Sequence, residues 1–189
     1  EVECGTKCYI KTEAKDYNVN ETPTLIAKTS GKTFVPVELE KSLLDLNSYF
    51  DPVTGKLKEG MSPPDLAKFF DIKNILFDLD KSNIRPDAEV ELAKILVVLE
   101  DYPTMELDIR SHTDCRQTAK YNQALSDRRA KSTKGWLVVK KVNKTRLTAK
   151  GYGESQLVND CGCEPTNESN CSEELHQQNR RSEFIITRM

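Results

Sequence analysis

Apolar positions in this 189-residue chain follow one rhythm at its start and another over its last two thirds. Early on they alternate. Tyr9, Lys11 and Glu13 interleave with Ile10, Thr12 and Ala14, and after a turn at Gly31-Lys32 the residues Val35, Val37 and Leu39 share one face of the stretch Thr33–Leu39. A period of two predicts strands. Two or three strands do not make a stable sheet alone, so residues 1–40 read as a β-rich segment, the tail of a sandwich or an arm packed on the rest of the chain. Residues 41–65 hold Asp51-Pro52, Gly55, Gly60 and Pro63-Pro64, a density of turn formers that predicts a linker with one short helix over Ser42–Tyr49.

From Leu66 the pattern changes. Ile75–Leu79 is a short apolar run and reads as a strand. Pro86 then stands where a first helical residue should, with Asp87 and Glu89 in the first turn, where acids suit the helix dipole. Ala88, Leu92, Ile95, Leu96 and Leu99 recur at steps of three and four, a core-facing helix that Tyr102-Pro103 stops. Met105, Leu107 and Ile109 alternate with Glu106, Asp108 and Arg110, a half-buried strand. A second helix runs from about Thr118 to Lys140, with Leu125, Arg129, Thr133 and Leu137 on one stripe. Arg146–Lys150 reads as a strand closed by Gly151. After a long loop, Ser172–Gln178 reads as a helical turn and Glu183–Thr187 as the last strand. The order βαβαβ, loop, β predicts an α+β fold over residues 66–189, a two-layer sandwich of helices on a mixed sheet.

Composition narrows the function classes. Charged residues at 31% and a net charge of -2 describe a well-solvated surface without the field that gathers polyanions, so nucleic acid is a poor partner. The longest apolar run, Ile95–Leu99, is five residues, far from the roughly 20 of a membrane-spanning helix. The opening Glu-Val-Glu-Cys carries no signal-peptide pattern, and the chain reads as starting in mid-domain. Six cysteines (Cys4, Cys8, Cys115, Cys161, Cys163 and Cys171) in loop-like surroundings suggest disulfides and an oxidising compartment, with free thiols or a metal site as alternatives. Cys-Gly-Cys has the wrong spacing for a zinc knuckle and the chain has only two histidines, so no metal is assigned.

The candidate chemistry lies in His112–Ala130. Asp114 follows the second strand of this region and precedes its second helix, where the dipole favours an acid. Arg129 shares a stripe with apolar residues, so it is partly desolvated and needs a partner. Either Arg129 forms an internal salt bridge with Asp114 or Asp78, or it grips a ligand carboxylate while Asp114 takes an ammonium. Asn122, two turns before Arg129 on nearly the same face, offers both a donor and an acceptor. Arg128 points away and should be solvated. His112 has no nucleophile to serve, so it reads as structural and no catalytic residue is assigned. Asn179-Arg180-Arg181 could bind anions, but arginines before a final strand more often tie it to its sheet through salt bridges, which is the reading taken. A binding module is the leading reading; a cell-wall hydrolase using Asp114 and His112, or a protein–protein scaffold built on an Asp114–Arg129 pair, are its rivals.

The run His112-Thr113-Asp114, Tyr121-Asn122, Leu125-Ser126, Arg129-Ala130, Gly151-Tyr152-Gly153-Glu154 and Asn179-Arg180-Arg181 resembles the OmpA C-terminal-like peptidoglycan-binding domain over about Leu66–Met189. The resemblance implies a non-covalent hold, without a cofactor, on the meso-diaminopimelate of the peptidoglycan stem peptide. Asp114 and Arg129 would be the paired ligands, Asn122 a further contact, Asp78-Leu79-Asp80 a source of main-chain and polar contacts, and Thr113 and Leu125 would shape the pocket. Cys115-Arg116-Gln117 departs from the family, in which a glycine often follows this acid, and Ser111 and Thr133 replace a frequent glycine and valine. Relatives often pair cysteines in the late loop, which implies Cys161–Cys171 and leaves Cys115 and Cys163 to pair, with Cys4 and Cys8 bonded locally or elsewhere. Leu66–Pro86, Arg110–Asn122 and Ser172–Ile186 are similar to one branch, the OmpA-like end of PorE-type proteins of the type IX secretion system, and residues 9–39 are similar to the tail of a carboxypeptidase-regulatory-like sandwich. That branch implies a cell-wall anchor in the periplasm or at the periplasmic face of the outer membrane, with other secretion-system or outer-membrane proteins as partners.

Overall fold

The computed structural model describes residues 7–12, 20–25, 44–163 and 168–189. They belong to two compact units, Glu1–Ser48 and Tyr49–Met189. In the first, β1 (Lys7–Thr12) pairs antiparallel with β2 (Asn20–Leu25), Lys7 opposite Leu25. The expected strand over Thr33–Leu39 lies outside the described residues. The expected short helix is α1 (Leu44–Tyr49).

The second unit runs α2 (Leu66–Phe69), α3 (Pro86–Asp101), β3 (Glu106–His112), α4 (Ala119–Val139), β4 (Leu147–Gly153), α5 (Glu173–Asn179) and β5 (Ser182–Arg188). Its sheet has the order β4-β3-β5, with β3 parallel to β4 and antiparallel to β5. Both long helices begin where local chemistry starts them. Pro86 opens α3, and the Thr118 hydroxyl accepts from the Tyr121 amide to cap α4. The α3 stripe Ala88, Leu92, Ile95 and Leu99 is at most 2% exposed. Each of its larger side chains contributes about 1.5–3 kcal/mol on burial. Arg146 fastens the end of α3 to the start of β4, donating to the carbonyls of Leu99, Tyr102 and Met105 at 3.0, 2.6 and 2.8 Å.

Three expectations need correction. Ile75–Leu79 forms no strand. The outer edge of β5 that it would join is already occupied: the Ser182 amide donates to the Asn74 side chain, Phe184 to Asp65 and Ile186 to the Pro64 carbonyl. With its ladder partners taken, 75–79 runs on as a loop. The same bonds change the expected linker 41–65. From Tyr49 onward it belongs to the second unit, through bridges from Lys56 to Arg188 and Asp65 to Ile185. Finally, β4 does not close at Gly151 but continues to Gly153.

That continuation sets the helix layer. α4 packs on β4 and β3. A Cβ at Gly151 would fall 2.2 Å from the Asp127 amide nitrogen and 2.5 Å from the Ser126 carbonyl carbon. Only glycine allows the backbones this close. The approach is fixed by hydrogen bonds from Gly151 N to Asp127 (2.7 Å) and from Gly153 N to the buried Ser126 hydroxyl (2.9 Å). Gly151→Ala must push α4 off the sheet, and we expect it to destabilise the unit by about 1–3 kcal/mol or more in urea unfolding; an unchanged midpoint would contradict this packing.

Candidate functional site

Beyond β3 the chain crosses a short loop, 113–118, before entering α4. Its start is tied to the sheet by His112 N donating to the Arg181 carbonyl and Thr113 N to that of Gly153, both at 2.9 Å. Asn122 reaches back from α4, its side-chain amide donating to the carbonyls of Asp114 (3.2 Å) and Arg116 (3.1 Å) and to the Glu154 carboxylate. A Cys115–Cys163 disulfide staples the loop to the late loop, where Cys161–Cys171 closes a second link. Both pairings match expectation. The expected pairing of Cys4 and Cys8 lies outside the described residues. Gln117, in the stretch that departs from the family, has φ +84°, a left-handed conformation that a glycine would adopt without strain.

The α4 stripe Leu125, Arg129, Thr133 and Leu137 is buried as its spacing predicts, and Arg128 is exposed. Arg129 is 7% exposed. Its Nε donates to the Lys81 carbonyl at 3.0 Å and its Nη2 to the Asp78 carbonyl at 3.2 Å, and its guanidinium lies 5.0 Å from the Phe77 ring centre. Burial lowers its pKa, the neighbouring Arg180 charge lowers it further, and Asp80, Tyr121 and Asp114 offset part of this. Carbonyl dipoles and a ring face hold this cation, and its Nη1 donates no hydrogen bond among the described residues.

Asp114 has the opposite situation. Its Oδ2 accepts from Arg116 Nη2 at 2.7 Å and from Arg180 Nη1 at 2.6 Å, and its Oδ1 accepts from the Arg116 amide at 3.0 Å. Burial pushes its carboxyl pKa up, but the bonds from Arg116 and Arg180 outweigh that and hold it below the ordinary value. The internal Asp114–Arg129 salt bridge therefore does not form; the acid's ionic partners are Arg116 and Arg180.

A cavity of about 530 Å³ brings the expected residues together. Asp114, Arg129, Asn122, Thr113, Leu125, Leu79 and Asp80 line it; Asp78 does not. Asp78 acts through its carbonyl on Arg129, while its carboxylate pairs on the surface with Arg85 (3.2 Å) and Lys81 (3.4 Å). Leu79 is 87% exposed, an apolar side chain at the mouth. Asp80, at φ +57°, lies beside the Tyr121 phenol and raises its pKa. Asn122 lines the cavity, but its amide nitrogen is engaged by the loop and Glu154, so it positions Asp114 and offers only its oxygen.

The same wall includes Arg116 and Glu173, which carry no expected role from the sequence, and Arg180. Arg180 sits in the quoted Asn179-Arg180-Arg181, but adjacent residues entering a strand face opposite ways. Arg181 pairs with Glu183 of the strand it leads into at 2.8 Å and donates to the Gln156 carbonyl in the loop after β4 at 3.0 Å, so the expected salt-bridge tie to the sheet is not what it makes, while Arg180 faces the cleft. His112 is 1% exposed, stacked on Tyr152 at 5.3 Å between ring centres, with Nε2 3.5 Å from Glu183. This is a structural setting. A larger cavity of about 780 Å³ borders β5. Of its charged lining residues Asp65, Arg181 and Glu183 serve the fold, and Lys68, Lys73, Glu173 and Glu174 also border it. Among the described residues no cluster could hold a metal ion, and no helix is long and apolar enough to cross a membrane.

Residues 76–171 match the model of the OmpA family. Over 133 residues the chain is 35% identical to the peptidoglycan-associated lipoprotein of Brucella melitensis, covering 69% of this chain and 74% of that one. A 114-residue stretch, 60% of the chain, is 39% identical to part of a Gloeobacter violaceus protein named photosystem I P700 chlorophyll a apoprotein A2, and spans only 13% of that protein. The fold is similar to the crystal structure of the peptidoglycan-associated lipoprotein from Burkholderia pseudomallei, with a TM-score of 0.52 at 24% identity over 60% of this chain and 90% of that one.

Breaking the Cys115–Cys163 bond, by Cys115→Ser with Cys163→Ser, is expected to lower stability by about 2–4 kcal/mol and to speed amide exchange across 113–118. Exchange rates equal to the parent's would show that Asn122 alone holds the loop.

Proposed function

The chain belongs to the OmpA family, and on that footing we propose that it binds peptidoglycan without chemistry, taking the ammonium and carboxylate of the stem peptide's diaminopimelate between Asp114 and Arg129. One observation carries the reading: on one cavity wall stand a buried guanidinium whose Nη1 donates no hydrogen bond among the described residues and a carboxylate whose Oδ1 accepts, among them, from the Arg116 amide alone. A carboxylate on Arg129 would replace the water that burial removes, in a charge-assisted bond to a planar donor. An ammonium would take the remaining acceptor capacity of Oδ1. A ligand lacking the carboxylate leaves the desolvated charge of Arg129 unmatched, whereas one lacking the ammonium forgoes only a bond at Asp114, whose charge Arg116 and Arg180 already meet.

In this reading residues 66–189 form the wall-binding domain, Leu79 and Leu125 border the ligand, and Asp80 and Thr113 shape the pocket. The protein acts as an anchor in the cell envelope, in the periplasm or at the inner face of the outer membrane, not as an enzyme. The similarity to the PorE-type branch supports a finer proposal: residues 1–40 are the tail of a carboxypeptidase-regulatory-like sandwich, and the whole protein links a type IX secretion assembly or other outer-membrane proteins to the wall. Two disulfides fit an oxidising compartment.

Asp114→Ala and Arg129→Ala should each abolish co-sedimentation with diaminopimelate-type peptidoglycan while thermal melting stays cooperative. Retained binding by both folded variants would refute the assignment.

A further inference from the structure

Arg116 and Arg180 hold two carboxylates, not one. Beyond Asp114, Glu173 accepts from Arg116 Nη1 at 2.9 Å through Oε2 and from Arg180 Nη2 through Oε1. The four side chains close a ring in which each guanidinium spans an inner and an outer acid. The two acids are not equivalent. Asp114's side chain is 8% exposed and fixed to the loop amide; Glu173's is 62% exposed, on the first turn of α5. Ion pairs at an exposed carboxylate contribute little and exchange readily with solvent or a competing anion, whereas a buried pair is costly to part.

Charge on the cavity wall leads the same way. Asp80, Asp114 and Glu173 face Arg116, Arg129 and Arg180, a balance of three against three. A zwitterion keeps that balance. If Glu173 swings out, the wall carries one positive charge more, set on two guanidiniums already spaced to share one carboxylate.

We infer that Arg116 and Arg180 form a second carboxylate subsite and that Glu173 is its internal stand-in, displaced when a ligand brings an acid beside the zwitterion. This inference rests on the proposed diaminopimelate reading and adds what lies next to it. The recognised feature is a second free carboxylate on the same stem. Chemistry offers two sources: the α-carboxyl of the γ-linked glutamate, and the peptide's C-terminal carboxyl. Arg116 would then set specificity, distinguishing stems that keep this acid from stems that carry its amide.

Calorimetric titration tests it with the whole chain and a synthetic tetrapeptide, L-Ala-γ-D-Glu-diaminopimelate-D-Ala, in three forms: both acids free, glutamate α-amide, or C-terminal amide. One of the two amides should bind the parent protein about fivefold to tenfold more weakly than the free form, and which one names the source. Glu173→Gln should tighten the free form by about twofold to fivefold and leave that amide nearly unchanged, since removing an exposed competitor gains little more. Arg116→Gln should bind the free form and that amide alike. If all three forms bind the parent equally and Glu173→Gln changes none of them, the subsite is overturned while diaminopimelate binding stands. If free diaminopimelate and all three peptides fail to bind, the underlying reading has failed and the subsite falls with it.

Discussion

The close seam between α4 and β4 is the constraint on which the site depends. At Gly151 the strand touches the helix backbone, and Ser126 and Asp127 bond to strand amides where a side chain would otherwise stand. This fixes the rotation of α4 about its axis. Leu125, Arg129, Thr133 and Leu137 are thereby turned inward, and Arg128 outward. It also sets how far Asn122 must reach to hold the loop that presents Asp114. One backbone contact thus places the base, the acid and the strut between them. A rigid element bearing a site holds its geometry better than a loop can. Here the loop itself is made rigid by a strut from the helix and a disulfide to the late loop.

The two charges differ in how the fold compensates them. Asp114 is met by two guanidiniums and a main-chain amide, more than burial alone requires. Arg129 is met by carbonyl dipoles and a ring face, and it lines the cavity. A desolvated cation without a carboxylate gains more from an incoming anion than a well-matched acid gains from an incoming cation. Under the proposed reading more of the binding energy would therefore fall on the ligand's carboxylate at Arg129, and the ammonium would add a smaller share at Asp114.

Local signals made much of this legible. Pro86 and Thr118 start their helices as their chemistry requires, and the four-residue stripe through Arg129 says that the arginine is buried before any neighbour is known. What pattern does not carry is competition between segments. Ile75–Leu79 is as apolar as a strand, but its partner edge is taken by Pro64, Asp65 and Asn74, polar or turn-forming residues that periodicity assigns to no ladder. Arg180 and Arg181 look alike in sequence, and only the direction in which each leaves the turn pairs one with Glu183 of the strand that follows and makes the other a wall of the cleft. Asn122 is recognisable as a candidate site residue, yet its amide serves the loop because the Asp114 and Arg116 carbonyls just before its helix and the distant Glu154 carboxylate converge on it. The disulfides follow from the family resemblance and not from cysteine spacing, since Cys161, Cys163 and Cys171 sit too close together for spacing to choose between partners.

The most direct test of the central claim, recognition of a zwitterion by a matched acid and base, compares two stem peptides that differ at one residue, diaminopimelate or L-lysine. Lysine keeps the side-chain ammonium and loses the carboxylate beside it. Titrated against the whole chain at fixed salt, the diaminopimelate peptide should bind and the lysine peptide should bind about two orders of magnitude more weakly, the cost of leaving a buried guanidinium unmatched. Equal affinity for the two would mean that Arg129 does not read a carboxylate, and would contradict the account.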